Sequence, residues 1–152
     1  MNILRTTLLL CFSLAIFKSM GQSNNQAVQV ETKNKNTYKY YQIEVSTGQG
    51  VVGKIMLNGE KIHDFNKEMT QLSRNLELEQ LKNGTNKLIL SLSKIPINVK
   101  KGYFEEALIT IVFHAVNEKV FTSKETEFFK ILWDPKPEQT EIEIEYLFDL
   151  NL

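Results

Sequence analysis

Cysteine is almost absent from this chain of 152 residues, since Cys11 is the only one and it lies within an apolar run. Beyond residue 11 we therefore expect neither a disulfide nor thiol chemistry. That apolar run, over residues 8–17, is too short to cross a membrane, which requires about 20 apolar residues. We expect the fold to be stabilised by burial of an ordinary hydrophobic core.

The chain also has no excess of positive or negative charge. The chain carries 18 basic and 18 acidic residues. Without residues 1–21, which hold Arg5 and Lys18, 16 basic and 18 acidic residues remain, and Arg74 is the only arginine. Nucleic-acid binding requires concentrated positive charge. We therefore expect no nucleic-acid partner.

Recognisable catalytic motifs are absent as well. The sequence has no G-x-S-x-G elbow, no P-loop, no dinucleotide glycine pattern and no H-E-x-x-H motif. Its aspartates, Asp64, Asp134 and Asp149, are scattered and form no calcium loop. We predict a protein that is not an enzyme and that needs no metal and no cofactor. The alternative is a hydrolase, because a glycosidase-type pair could exist among the many glutamates.

Residues 1–21 have the pattern of a secretory signal peptide. Arg5 precedes the apolar run, and Ser19 and Gly21 place small residues before a cleavage site. The alternatives are a transmembrane anchor, a buried core helix or a lipidated N-terminus at Cys11, although Cys11 does not end the apolar run. We predict an exported protein, either periplasmic or secreted.

The remaining chain divides into a polar segment and one domain. Residues 22–37 hold four asparagines and few apolar residues, which predicts a flexible N-terminal segment. An ordered first strand from Ala27 to Val30 is the alternative. Residues 38–152 have the length of one ordinary domain.

Apolar and polar side chains alternate with a period of two through residues 38–152. The pattern is clear at Leu88, Leu90 and Leu92, and again over residues 141–150. It predicts strands with one buried face. Residues 107–116 are apolar on both faces, which predicts a central strand or one that meets a partner. We predict an all-β fold: a single antiparallel β-sandwich of seven or eight strands, jelly-roll or immunoglobulin-like, with at most one short helix.

Asn58-Gly59 is the strongest hairpin signal in the chain, because both residue types tolerate positive φ. A two-residue turn here predicts three cross-strand pairs: Leu57 with Glu60, Ile55 with Ile62, and Lys54 with His63.

Two segments have no single clear period. Residues 66–74 fit a helical turn or a long loop that crosses between sheets. Within residues 122–133, Thr122 and Glu125 fit a capping box that would begin a helix. The same segment also fits a strand over residues 128–133, and we favour a short turn followed by this strand.

A spaced set of apolar and turn residues surrounds the Asn-Gly turn before the Leu88 run; it comprises Leu81, Gly84, Asn86, Leu88, Leu90 and Leu92. This stretch resembles a segment of galactose-binding-like jelly-roll domains, such as the accessory sandwich domains of some glycosidases. Residues 54–60 resemble the hairpin that precedes it in that family. The resemblance covers about a quarter of the chain. It implies a jelly-roll topology and a carbohydrate-binding module, whose function would lie in variable loops.

Aromatic and histidine residues supply the other site candidates. Trp133 and Tyr103 lie near turn signals and are candidates to stack on sugar rings, whereas the alternative for Trp133 is the core. His63 is expected to be a solvated strand residue, and His114 a hydrogen-bonded residue of the core or its boundary, in preference to metal ligands.

Glu141, Glu143 and Glu145 share one face of the last predicted strand. We call these three residues the acidic ladder. We expect a solvated face that protects an edge strand from aggregation. The alternatives are a docking stripe for a basic partner and a cation site.

These features favour a non-enzymatic exported protein that binds another protein, as a toxin-neutralising partner or an envelope-complex subunit. A carbohydrate-binding module with a glycan ligand is the first alternative, and a hydrolase is the second.

Overall fold

The computed structural model describes residues 26–66, 68–95, 108–134 and 141–152. In these ranges the chain forms nine strands and one single-turn 3-10 helix, Leu78–Gln80. No helix in the described ranges is long and apolar enough to cross a membrane. The strands are β1 (Gln26–Gln29), β2 (Tyr40–Thr47), β3 (Val52–Leu57), β4 (Glu60–Asn66), β5 (Thr70–Leu76), β6 (Gly84–Lys94), β7 (Ile109–Val116), β8 (Glu127–Trp133) and β9 (Ile142–Leu150).

The strands form two sheets that pack face to face. The first sheet has the order β1-β9-β6-β3-β4, and the second has the order β5-β2-β7-β8. Neighbouring strands are antiparallel, apart from β1, which runs parallel to β9. The predicted all-β sandwich is confirmed, and the single short helix it allowed is the 3-10 turn, but the described residues form nine strands where seven or eight were expected.

The core lies between the two sheets and is built from alternate residues of each strand. In β6, Leu88 and Leu90 are fully buried and Leu92 is nearly so. Each such leucine contributes about 1.5–3 kcal/mol through removal of its side chain from water. Burial of these alternating apolar side chains therefore stabilises the packing of one sheet on the other.

Aromatic rings hold the centre of the core together. Phe113 of β7 stacks on Phe129 of β8, with ring centroids 5.0 Å apart. Phe148 of β9 reaches across from the first sheet and lies 4.7 Å from Phe129 and 5.1 Å from Phe113. Because Phe113 and Phe148 are fully buried, this cluster joins the two sheets directly.

The β3–β4 hairpin turns at Asn58-Gly59 as predicted. The φ angles are 51° at Asn58 and 92° at Gly59, the left-handed pair that a tight two-residue turn requires. Leu57 lies opposite Glu60, again as predicted.

The register beyond this turn corrects the other two predicted pairs. A β-bulge next to Ile55 places Ile55 opposite His63 and Lys54 opposite Asp64. The extra residue in β4 is Ile62, which is 6 % exposed. The bulge lets Ile62 stay in the core although it no longer faces Ile55.

The interval between β4 and β6 contains a strand that the sequence did not predict. Residues 66–74 were expected to form a helical turn or a loop, whereas β5 begins at Thr70 and pairs with β2. The chain crosses from the first sheet to the second between β4 and β5, and returns to the first sheet between β5 and β6.

Strand β1 lies in the segment expected to be flexible. Gln26–Gln29 pairs in parallel with β9, and the Val30 amide continues the pairing to the Leu147 carbonyl at 2.8 Å. The ordered strand that was the alternative for this segment is therefore present, at Gln26–Gln29.

Residues 122–133 form a turn followed by a strand, as favoured. The Thr126 amide donates to the Ser123 carbonyl at 3.2 Å, and β8 begins at Glu127. A bulge between Phe113 and His114 lets the consecutive residues Phe128 and Phe129 both lie buried.

Candidate binding site

The outward face of the second sheet brings a carboxylate and an imidazole together. Gln42 of β2 lies opposite His114 of β7, and Glu44 lies opposite Val112. Glu44 and His114 are therefore diagonal neighbours on the same face, which cross-strand geometry brings within reach of long side chains. Their Oε2 and Nε2 atoms are 3.5 Å apart.

The connection between β7 and β8, residues 117–126, is tied to this pair; we call it the 117–126 loop. The Thr122 hydroxyl donates to Glu44 Oε1 at 2.6 Å. The Thr126 hydroxyl oxygen lies 2.9 Å from His114 Nδ1. The loop is thus held to two neighbouring strands through polar side chains, and not through an apolar contact alone.

The end of the 117–126 loop is a hydrogen-bonded turn. The Ser123 amide donates to Thr126 Oγ1 at 2.9 Å, and the Thr126 hydroxyl donates to the Ser123 carbonyl at 2.9 Å. The Ser123 hydroxyl donates to Glu125 Oε2 at 2.6 Å, and this bond holds the pKa of Glu125 below its ordinary value. These local bonds take the place of the helix that a capping box would have begun.

A groove of about 460 Å³ lies between the 117–126 loop, the start of β2 and the end of β5. Phe121 is 98 % exposed, Val120 is 51 % exposed and Tyr40 is 41 % exposed. Lys119 Nζ lies 5.6 Å from the centre of the Tyr40 ring. The groove is lined by Tyr40, Tyr41, Gln42, Asn75, Leu76, Glu77, His114, Val116, Lys119, Val120, Phe121, Thr122 and Thr126.

A second hollow of about 400 Å³ continues along the same face of the sheet. It is lined by Glu44, by short polar residues such as Ser46 and Thr110, and by the apolar residues Val45, Leu72 and Val112. Glu44 lines this hollow, and its bond with Thr122 also ties it to the loop that borders the groove.

His114 is buried, with 4 % of its surface exposed, although it lines the groove. Its buried Nε2 atom forms no hydrogen bond with any described residue. The 3.5 Å to Glu44 is a charge-pair distance, longer than the 2.7–3.2 Å of a good N–H···O bond. His114 is therefore a buried residue at the boundary of the core that is hydrogen-bonded through Nδ1, as expected.

His63 differs from the expected solvated histidine. It is half-buried, and its Nε2 atom lies 2.9 Å from Thr70 Oγ1, which lies 2.7 Å from Thr47 Oγ1. Burial lowers the pKa of His63, and Asp64 partly opposes this effect. His63 thus belongs to a polar link between β4, β5 and β2.

The two aromatic candidates do not form a surface together. Trp133 is 6 % exposed at the end of β8, opposite Ile109, so its ring lies in the core, which was the alternative. Tyr103 lies outside the described residues. The exposed aromatics of the groove are instead Tyr40 and Phe121.

The acidic ladder lies on the outward face of the first sheet, opposite to the groove. Glu143 accepts a hydrogen bond from the Ser91 hydroxyl at 3.0 Å, and Glu145 pairs with Lys87 Nζ at 2.9 Å. Glu141 is exposed just before β9. Because β9 lies between β1 and β6, the expectation of an edge strand was wrong.

The groove residues differ in how far the sequence could have revealed them. Val120 and Phe121 are the two apolar residues of an otherwise polar connection, which is a detectable signal. The approach of Glu44 to His114 depends on the pairing register of two strands that are 70 positions apart, and no local pattern specifies that register. Among the described residues, no group of three or more His, Cys, Asp or Glu side chains could hold a metal ion.

No protein-family model, curated protein or solved structure matches this chain.

Proposed function

We propose that this protein is a non-enzymatic binding protein that captures another protein in the groove beneath the 117–126 loop. The observation that supports this proposal is the almost complete exposure of Phe121 at 98 %, beside Val120 and Tyr40. Contiguous exposed apolar side chains at a concave surface are typical of interaction sites. Aromatic residues also supply most of the energetic anchors of protein interfaces.

The tethers of the 117–126 loop support a defined site. Thr122 and Thr126 bond to Glu44 and His114, so the loop is ordered before a partner arrives. A preformed surface loses less conformational entropy on binding than a loose one. The backbone that carries Phe121 is thereby held beside the groove.

The proposed partner lies outside the cytoplasm, because the N-terminal sequence favours export. A toxin that this protein neutralises or a neighbouring subunit of an envelope complex would fit that setting. The acidic ladder, on the opposite face, is a separate candidate for contact with a basic partner, and Glu141 is its most exposed member.

A glycan is the second candidate ligand, and the composition of the groove favours it. Tyr40 offers a half-exposed ring, and Gln42, Asn75 and Glu77 line the same groove with hydrogen-bonding groups. Aromatic faces that stack on sugar rings, together with planar polar side chains, would suit a carbohydrate.

Site-specific photocrosslinking tests the protein-binding proposal. A benzoylphenylalanine at position 121 should capture one defined protein in the native host. The same residue at position 132 is the control, because Leu132 is also exposed, at 58 %, and does not line the groove. Equal capture at both positions, or none at 121, would contradict the proposal.

The captured partner, once purified, should bind the wild-type chain and bind Phe121→Ser on the order of 30-fold more weakly. Leu132→Ser should bind like the wild type. Both side chains are exposed, so neither change should cost more than about 0.5 kcal/mol of stability. Glycan-array binding that is lost in Tyr40→Ala, without a protein partner, would favour the carbohydrate alternative instead.

A further inference from the structure

Strand β5 is an edge of the second sheet, and among the described residues β2 is the strand that pairs with it. The Gly48 amide donates to the Leu108 carbonyl at 2.7 Å, which extends the ladder between β2 and β7 by one pair. The backbone groups of successive residues in a strand point to opposite sides. Even-numbered residues of β2 therefore bond to β7, and odd-numbered residues bond to β5.

This alternation defines which backbone groups of β5 are unpaired. The odd-numbered residues of β2 lie opposite the even-numbered residues of β5, from Thr47 with Thr70 to Tyr41 with Leu76. The backbone groups of Gln71, Ser73 and Asn75 consequently point away from the sheet, and no described residue bonds to them. We call this row of N–H and C=O groups the β5 edge.

The other described sheet edges carry features that hinder the addition of a strand. Strand β1 has only four residues, and β4 contains a bulge and the exposed ion pair of Lys61 with Asp64. On the outer side of β8, the Phe128 carbonyl already accepts from the Lys33 amide at 2.9 Å. In contrast, β5 runs for seven residues without a shift in register, and the three residues of the β5 edge are exposed and uncharged.

We propose that the partner binds by adding an extended segment of its own backbone to the β5 edge. This inference rests on the proposed function, since Asn75 and Leu76 at the end of β5 line the proposed binding groove. A row of backbone donors and acceptors at strand spacing is complementary to another extended polypeptide, and not to a glycan. The main-chain hydrogen bonds supply affinity, and the groove selects the side chain that the added strand presents beside Asn75.

Arg74 favours a distinct protein over a second copy of this chain. Its side chain lies on the inner side of β5, with its guanidinium 3.5 Å from Glu60 Oε1. Two copies paired antiparallel about Ser73 would place Arg74 of each copy opposite Leu72 of the other, so that two like charges approach on one side of the joined sheet. Such a pair of like charges is destabilising, and inward charges of this kind oppose edge-to-edge association.

Amide hydrogen exchange in β5, measured by NMR, tests the proposal with an internal control. In the free chain, the amides of the β5 edge should exchange at nearly the intrinsic rate at every protein concentration, while those of Leu72 and Arg74 are protected by β2. Addition of the partner purified by crosslinking at position 121 should slow exchange at the β5 edge by on the order of tenfold or more, and leave Leu72 and Arg74 unchanged.

Two results in the free chain would overturn the proposal. Protection of the β5 edge in dilute solution would show that these groups are already bonded within the chain. Protection that appears as the protein concentration rises would assign the edge to a second copy.

Ser73→Pro tests the backbone of the β5 edge separately from its side chains. Proline is tolerated in an edge strand where the missing N–H would face solvent, so the ladder with β2 is retained. The variant loses one donor and sets its ring against the incoming strand, and we expect binding on the order of tenfold weaker. Ser73→Ala keeps the amide and should bind like the wild type. Equal binding by the two variants would overturn the proposal, and the exchange pattern keeps the test decisive if Ser73→Pro fails to fold.

The exchange pattern also separates this inference from the proposed function. A partner that protects amides of the 117–126 loop and none of the β5 edge would overturn strand addition alone. A partner that protects the β5 edge and binds Phe121→Ser as tightly as the wild type would contradict capture in the groove alone.

Discussion

At the scale of single residues, Asn86 is the polar residue on which two turns depend. It is fully buried, and its Oδ1 accepts from the Lys82 amide and from Asn58 Nδ2, both at 2.8 Å. Its Nδ2 donates to the Lys82 carbonyl at 2.8 Å and to the Gly84 carbonyl at 3.0 Å. Since Asn58 forms the β3–β4 turn, Asn86 connects that hairpin to the turn before β6.

Asn86→Ala should therefore cost about 2–4 kcal/mol in the free energy of unfolding, because it leaves buried backbone groups unpaired and opens a cavity. Urea denaturation measures the change. Asn36→Ala is the control, since Asn36 is exposed, and it should cost less than about 0.5 kcal/mol. An Asn86→Ala chain that unfolds at the wild-type midpoint with an unchanged slope would show that the network does not stabilise the fold.

Single residues also show where prediction from the sequence succeeds. The Asn58-Gly59 turn was predictable because its positive φ angles are a local property of those two residue types. The bulge at Ile62 was not predictable, because the same Asn58-Gly59 turn can close a hairpin with or without a bulge. The Glu44–His114 contact was likewise hidden, because it depends on register between distant strands.

At the scale of elements, β5 shows why a strand can lack a visible period. Leu72 and Arg74 lie opposite Val45 and Ile43, which are buried in the core. Arg74 therefore faces inward at the edge of the sandwich, where its guanidinium lies 3.5 Å from Glu60 Oε1. A charged residue at an inward position removes the apolar alternation on which strand prediction depends.

Strand β9 has a clear alternation, but this alternation did not show that β9 has a neighbouring strand on each side. The alternation of β9 predicts one buried and one solvated face, but it is the same for an edge strand and an interior strand. The neighbour that makes β9 interior is the polar segment Gln26–Gln29. Only Val28 and Val30 of this region pack partly against the core.

Val28→Asp should detach β1, because it places a carboxylate against the core opposite Tyr146. We expect a loss of about 1–3 kcal/mol in stability and a loss of exchange protection at the Val30 amide, which donates to Leu147. Gln29→Asp is the matched control, since Gln29 is exposed, and it should change neither quantity. Equal protection of Val30 in both variants would contradict a stabilising role for β1.

At the scale of the whole molecule, one side chain in the core between the two sheets is ionisable: the phenol of Tyr146. Tyr146 of β9 is 7 % exposed, and burial raises its pKa to about 12. The ordinary value of about 10 applies to the unfolded chain. Between these values the unfolded state gives up the phenol proton while the folded state retains it. The contribution of Tyr146 is therefore fully present below about pH 10 and is lost as the pH rises to about 12.

Tyr146→Phe should consequently resist alkaline unfolding better than the wild type, because the phenylalanine ring fills the same site without an ionisable group. At about pH 11 the wild type should have lost on the order of 1 kcal/mol more than the variant, relative to about pH 9. Urea midpoints at the two pH values measure this difference. Lysines also titrate in this range, but both chains carry the same lysines, so their effect cancels in the comparison. Tyr40→Phe, at an exposed position, should lose stability in parallel with the wild type. A Tyr146→Phe chain that loses as much as the wild type between these pH values would show that unfolding in base does not depend on exposing this ring.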